Sequence, residues 1–316
     1  MMCEKQILVA GGAGFIGSHL CDRLVLEGHR VLCMDNLYTG KIENIEHLLT
    51  HPMFCFIEHD INTPYATGEI SKIFNLACPA SPMHYQKNAV YTTKTAVLGT
   101  LNLLELARLN KCPILQASTS EVYGSSVISP QTENYWGNVN STGVRSCYDE
   151  GKRCSESLCM DYHRQYGLKV KVVRIFNTYG PNMAADDGRV ISNFIVQSLR
   201  SENITVYGSG TQTRSFMFIS DLIEALMRMM NTNDECTGPV NLGNPEECTI
   251  MELAEKIIHL TGTTSAITHR PLSQDDPQRR CPDISMATRL LNGWQPQIGL
   301  EEGLKKTIKH LKNKIL

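Results

Sequence analysis

The sequence predicts an α/β protein: a doubly wound parallel sheet joined to a smaller, discontinuous C-terminal cap for a substrate. Three observations predict it. Short apolar runs of strand length alternate with helical patterns without internal repeats as far as Gly180, which is the signature of strand-helix-strand units. The first strand runs straight into a glycine-rich turn. Past Pro181 the rhythm changes, and no linker or low-complexity stretch marks the change.

In chain order, Gln6-Ile7-Leu8-Val9-Ala10 is the first strand, Gly11-Gly12-Ala13-Gly14-Phe15-Ile16-Gly17 the turn, and Ser18 to Glu27 a helical pattern stopped by Gly28. Glycines here permit a tight turn and close approach of backbone to a pyrophosphate, which rests on the amides of the helix N-terminus. The spacing is Gly-x-x-Gly-x-x-Gly at 11, 14 and 17 rather than Gly-x-Gly-x-x-Gly. A second strand, Arg30 to Met34, ends in Asp35, where a ribose-binding carboxylate is expected. A carboxylate there repels a 2′-phosphate, which favours NAD over NADP.

Phe54 to Glu58 and Lys72 to Ala77 read as the third and fourth strands, followed by Asp60-Ile61 and by Cys78-Pro79-Ala80-Ser81-Pro82. Ligands of open α/β sheets bind at the carboxyl ends of strands, so both turns should face cofactor or substrate. The apolar positions between Val90 and Arg108 suggest a long helix carrying Lys94, either a site residue or a solvated charge. Val170 to Phe176 is another strand, Val190 to Arg200 an amphipathic helix, Thr205 to Gly210 a strand and turn, Phe216 to Ile219 a strand leading into a helix, and Pro239 to Gly243 one more strand. From Thr249 the chain holds two helices and a polar loop, Gln274 to Arg280. The expected division is a dinucleotide domain at 1–180 plus 215–248 and a cap at 181–214 plus 249–316.

The stretch from Pro113 to Lys152 carries the chemistry. An apolar run leads into Ala117-Ser118-Thr119-Ser120-Glu121, placing hydroxyls and a carboxylate at a strand end, and Tyr148-Asp149-Glu150-Gly151-Lys152 closes it. On a helix, residues four apart share a face, so Lys152 lies beside Tyr148. A neighbouring cation favours the phenolate and lowers the phenol's pKa from about 10, so such a pair can take a proton from an alcohol while hydride leaves the same carbon.

Composition bounds the partners. The chain has 316 residues, 42% of them hydrophobic, enough for a large core, and a formal net charge of -2. No basic excess points to nucleic acid or an anionic membrane, and no run of about 18 apolar residues suggests a spanning helix. Glu4 and the early glycines interrupt any signal-peptide pattern. The twelve cysteines are scattered with no Cys-x-x-Cys, so no metal site is expected, and a reducing cytoplasm is favoured over a disulfide scaffold.

Taken together, the glycine turn, Asp35, Thr119-Ser120-Glu121-Val122-Tyr123-Gly124 and the Tyr148/Lys152 pair resemble the extended short-chain dehydrogenases/reductases acting on nucleotide sugars, with their Rossmann-like fold. Within these, segments from Gly11 to Ile284 resemble the UDP-glucuronate decarboxylases, or UDP-xylose synthases, in order along nearly the whole chain. The resemblance implies that Gly11, Gly14, Phe15, Ile16 and Gly17 hold the pyrophosphate of NAD, Asp35 and Asn36 the adenosine ribose, and Asp60 and Ile61 the adenine. It puts Thr39, Gly40, Leu76, Cys78, Lys94, Thr95, Ala117, Thr178 and Arg189 along the same cofactor. Tyr148 would be the base, Lys152 its partner on the nicotinamide ribose, and Thr119 would share the sugar's 4-hydroxyl. Ser81, Asn177, Arg189, Tyr207 and Arg214 would hold the UDP-sugar, and Arg280 its carboxylate.

Position 120 separates neighbouring activities. Related 4,6-dehydratases carry an aspartate there to protonate a departing 6-hydroxyl, whereas Ser120 is a far weaker acid; 4-epimerases more often lack Glu121. The implied reaction is NAD-dependent conversion of UDP-glucuronate to UDP-xylose, with a 4-epimerase or 4,6-dehydratase as the alternative. Ala96, Cys78 and Cys281 depart from the usual asparagine, serine and lysine. The resemblance also implies a homodimer through the helices at Val90–Arg108 and Tyr148–Tyr166, with Leu158, Met160 and Tyr162 fitting that use.

Overall fold

The structure is a computed structural model that describes residues 5–271 and 279–315; most of the polar loop expected at 274–280 lies outside them. β1 (Gln6–Ala10), α1 (Phe15–Leu26), β2 (Val31–Asp35), β3 (Phe54–Glu58) and β4 (Ile70–Asn75) follow the expected order. Next come α2 (Pro82–Lys87), α3 (Ala89–Lys94), a π-helical turn (Thr95–Gly99), α4 (Thr100–Asn110) and β5 (Ile114–Thr119). α5 (Ser146–Tyr166) and β6 (Val170–Ile175) complete this part, and β11 (Val240–Leu242) returns to it later. Seven strands form one sheet in the order β11-β6-β5-β4-β1-β2-β3, with parallel pairing throughout.

Alternation along β1 divides the core. Ile7 and Val9 face one side with Leu20 and Leu24 of α1, while Leu8 and Ala10 face the other with Leu103 and Leu104 of α4. Helices on both faces explain why these strands read as unbroken apolar runs.

The remaining elements are β7 (Thr178–Tyr179), α6 (Val190–Leu199), β8 (Ile204–Tyr207), β9 (Thr213–Ser215), β10 (Met217–Phe218) and α7 (Ile219–Met230). They are followed by β12 (Glu247–Thr249), α8 (Ile250–Thr261), β13 (Ile267–Arg270), β14 (Arg279–Arg280), α9 (Ser285–Leu290) and α10 (Leu300–Ile315). β9 lies between β12 and β14, and β8 pairs with β13. α6, α8 and α10 put Phe194, Leu253, Ile257, Leu304 and Ile308 into the same core as Ile7 and Val9, so cap and sheet share one apolar interior.

Three expectations are corrected, and one further helix is found. The C-terminal third holds three helices, because α9 is too short for its periodicity to register. α2 was likewise unseen, with Pro82 pre-set for a first turn. The expected strand Phe216 to Ile219 shrinks to Met217-Phe218, since Ile219 begins α7. Tyr162 turns inward to bond Glu105 of α4 at 2.5 Å, so its hydroxyl is used within the chain. Residues after Arg280 also cross back to the sheet domain: Trp294 Nε1 donates to the Asp221 carbonyl at 3.2 Å, and Arg228 donates to that of Leu291 at 2.9 Å.

Candidate functional site

Two adjoining cavities, of about 350 and about 670 Å³, open at the carboxyl ends of the strands and share Ile16, Leu76, Cys78, Ala80, Met183 and Arg189 as walls. The smaller starts at the glycine turn, whose Gly11, Gly14 and Gly17 line it with Phe15. A Cβ at Gly17 would stand 2.0 Å from the Gly11 carbonyl oxygen, so only glycine lets α1 begin this close to β1. Gly14 is the N-cap and adds no side-chain bond, which leaves the first amides of α1 facing the cavity uncovered by a cap.

Asp35, Asn36 and Thr39 line this cavity from the end of β2, and Asp60 and Ile61 from the end of β3. The Asp35 carboxylate accepts from the amides of Ala13 at 3.0 Å and Leu37 at 2.8 Å, while burial raises its pKa against those bonds. Asn36 donates to Asp60 at 3.0 Å, tying the two strand ends together. Thr95 lines the same cavity, and so does Ser81, which was expected on the substrate side. Two expected residues fall elsewhere. Lys94 is exposed and lines neither cavity, because a helix that turns Thr95 inward points its neighbour about 100° away. Gly40 is buried against the Asp35 carboxylate, which a Cβ would approach to 2.7 Å, and lines neither cavity.

The larger cavity collects Ala117, Thr119, Ser120 and Glu121 from the end of β5, Tyr148 and Lys152 from α5, and Asn177 and Thr178 after β6. Tyr207, Arg214 and Arg280 enter from β8, β9 and β14. Arg214 and Arg280 are register partners across the β9/β14 pair. Arg214 donates to the Thr213 carbonyl at 2.8 Å, and Arg189 pairs with Asp187 at 2.5 Å.

Tyr148 is buried beside the Thr119 side chain, and its ring lies parallel to Tyr85 at 5.1 Å between centroids. The expected lowering of its pKa does not appear. Burial, then the nearby Cys78 thiol, push the phenol well above its ordinary range, and Thr119 and Arg189 only partly oppose them. Lys152 is one turn away as expected, its Nζ 5.9 Å from the Tyr148 ring centre, but it donates to the Ala117 carbonyl at 2.9 Å.

Glu121 is gripped from both sides. One carboxylate oxygen takes Arg145 at 2.5 Å and the other takes Arg280. Burial alone would raise its pKa, yet the two guanidiniums together bring it below the ordinary carboxylate value. Arg145 was missed in the sequence. Its place three residues before Tyr148, on the same side of the coming helix, was the available signal.

A glycine turn feeding an open parallel sheet, with a tyrosine and a lysine one helical turn apart beside a hydroxyl pair, defines a short-chain dehydrogenase/reductase. Residues 8–307 match the family model described as GDP-mannose 4,6 dehydratase. UDP-glucuronic acid decarboxylase 4 of Arabidopsis thaliana is 52% identical over 310 residues, covering 98% of this chain and 69% of that protein. UDP-glucuronic acid decarboxylase 1 of Danio rerio is 51% identical over 312 residues, covering 99% and 74%. Within the GDP-mannose 4,6 dehydratase family, the chain belongs to the UDP-glucuronic acid decarboxylases. Among solved structures, the UDP-glucose 4-epimerase of Thermotoga maritima with UDP-glucose superposes with TM-score 0.88 at 29% identity, over 98% of this chain and 100% of that one. The UDP-glucuronic acid 4-epimerase of Bacillus cereus, in complex with UDP-glucuronic acid and NAD, gives 0.88 at 28%, over 98% and 99%.

Proposed function

We propose that this enzyme converts UDP-glucuronate to UDP-xylose, with NAD retained in the smaller cavity and the sugar nucleotide in the larger one. The observation that carries the reading is the Arg145–Glu121–Arg280 cluster in the wall that also holds Tyr148 and Thr119: cationic side chains for a uronate beside a base for its 4-hydroxyl. Ser120 supports it, since no acid stands there to expel a 6-hydroxyl.

The smaller cavity suits the dinucleotide: its glycine turn has no room for a side chain at Gly17, and its carboxylates lie at the ends of β2 and β3. Held there, NAD would supply a hydride acceptor for C4 of the sugar and a donor for its return. Asp35 and Asn36 would hold the adenosine ribose, and Asp60 and Ile61 the adenine. Tyr148 Oη takes the 4-hydroxyl proton, and the Thr119 hydroxyl fixes the same oxygen. Burial makes this phenol reluctant to ionise, and the Lys152 charge, held one turn away by the Ala117 carbonyl, would favour the phenolate that the base step needs. Oxidation at C4 leaves a β-keto acid, which loses carbon dioxide readily. Tyr148 and Thr119 then donate to the enolate oxygen. C5 takes its proton from Arg280 or from a water held by Glu121, and Tyr148 returns the 4-hydroxyl proton. Asn177, Arg189, Tyr207 and Arg214 hold the nucleotide and diphosphate, a planar guanidinium being suited to phosphate.

The proposed division keeps 1–180 plus 215–248 as the NAD domain and 181–214 plus 249–316 as the cap. A homodimer through α3, the π-helical turn, α4 and α5 is supported by Val90, Leu98 and Leu109, which are 69%, 44% and 67% exposed. Light scattering at the mass of one chain would remove it. A cytoplasmic setting is supported by eleven free cysteines among the described residues. No helix of these residues is long and apolar enough to cross a membrane.

The function is tested by incubating the purified protein with UDP-glucuronate, with and without added NAD, and identifying the products by mass spectrometry. UDP-xylose with loss of carbon dioxide is expected. A 4-keto pentose with NADH would mean that hydride return fails, and a 4-epimer or a dehydrated sugar without decarboxylation would overturn the reading.

A further inference from the structure

Asp149 follows the catalytic tyrosine and takes part in none of the steps above. It is 6% exposed, and its Oδ1 has no hydrogen-bond partner among the described residues. Most buried polar groups are paired, so an orphaned carboxylate oxygen beside a reaction centre calls for an explanation. Asp149 is the fourth residue after Arg145, its amide donating to the Arg145 carbonyl at 3.1 Å, so the two side chains rise from the same side of α5. Arg145 in turn holds Glu121, and Glu121 holds Arg280. The charged and titratable groups that act on the Asp149 carboxyl are Glu121 after β5, Arg145 at the start of α5, Glu150 on it, and Arg280 on β14; the Tyr85 phenol and the Cys147 thiol lie within its field.

We propose that Asp149 is a positioning residue that admits the uronate in its uncharged form, leaving the Glu121, Arg145 and Arg280 cluster with one positive charge in excess, matched to the carboxylate of the sugar. This rests on the proposed decarboxylation of a uronate. The charge count decides it. Two guanidiniums against Glu121 leave one positive charge, and a bound uronate cancels it. An ionised Asp149 would cancel it first and leave the cluster neutral, with no net charge to attract the uronate. Burial, then Glu121, push the Asp149 carboxyl up to about 7, against the pull of Arg145 and Arg280, so the neutral form is within reach at physiological pH. The device selects by charge: it governs ligands that carry a carboxylate and leaves the UDP portion alone.

The test compares UDP-glucuronate with UDP-glucose, which lacks the carboxylate, on the purified protein with its NAD. KM for the first and the inhibition constant of the second are measured from about pH 6 to about pH 9, where a carboxyl titrating near neutrality changes charge. In the wild type, the preference for UDP-glucuronate should fall on the order of tenfold across that range, while UDP-glucose binding stays nearly constant. Asp149→Asn should flatten the fall and keep kcat within a few-fold, and Asp149→Glu should restore it. A wild-type preference independent of pH would overturn the proposal without any variant being needed. So would an Asp149→Asn protein that shifts both ligands equally, which is the mark of a structural role. Failure of the decarboxylase reading looks different: the wild type would release no carbon dioxide from UDP-glucuronate at any pH.

Discussion

The two walls of the cleft are built in opposite ways. On the strand side, Asp35 and Thr119 end strands, the glycine turn and Asp60 follow them, and Tyr148 lies in the first turn of a helix, so each is placed by a local element. On the cap side, Tyr207, Arg214 and Arg280 come from three separate short strands, and Arg280 reaches Glu121 across a sequence separation of 159 residues. The first wall can survive local damage to the second. The second has no meaning without the first, because its charges are organised around a carboxylate that β5 delivers.

The largest effect should come from breaking the strand wall at its chemistry. Tyr148→Phe keeps the stacking on Tyr85 and removes the proposed proton acceptor, so kcat for UDP-xylose formation should fall by about 10² to 10⁴ with UDP-glucuronate still bound. Near-normal turnover would remove Tyr148 as the base. Arg280→Ala breaks the cap wall instead. Glu121 is left buried with Arg145 alone, and losing one partner of a buried pair costs about 3–5 kcal/mol, so thermal unfolding should drop by several degrees along with decarboxylation. Intact decarboxylation in that variant would leave the carboxylate role unsupported.

A milder break follows from acid. The Glu121 carboxyl is held below its ordinary value of 4.5 by Arg280 and Arg145, which outweigh burial. A lowered folded-state pKa gives stability that is present above the unfolded value and lost as pH falls through the folded one. Wild-type protein should therefore lose stability below pH 4.5, and Glu121→Gln should blunt that loss, as read by denaturant midpoints from pH 3 to 6. The smallest effect should come from a helix cap whose own side chains line neither cavity. Thr249 and Glu252 form a reciprocal cap on α8. Thr249→Ala should cost about 1 kcal/mol in unfolding and leave KM unchanged.

How much was legible in the sequence follows the same contrast. The strand wall could be read because its signals are local: a glycine turn between an apolar run and a helical pattern, and a tyrosine and lysine one turn apart. Lys94 shows the limit of local reading, since a lysine in the right helix still points wherever its phase sends it. The phenol of Tyr148 shows another. Spacing revealed the cation beside it but said nothing of the burial that raises its pKa. Arg145 and Asp149 were visible letters whose role depends on Glu121 and Arg280, and only tertiary contact brings those four together.

The π-helical turn at Thr95–Gly99 bears on how freely the catalytic helix can vary. Gly151, between Tyr148 and Lys152, faces Ala96 so closely that a Cβ on it would stand 2.9 Å from the Ala96 methyl. Ser155 of the same helix donates to the Ala96 carbonyl at 2.7 Å, which holds the two backbones at that separation. Positions 96 and 151 are therefore not independent. A side chain added at one uses space that the other must give up, so a tolerated change at either should come with a compensating change at its neighbour.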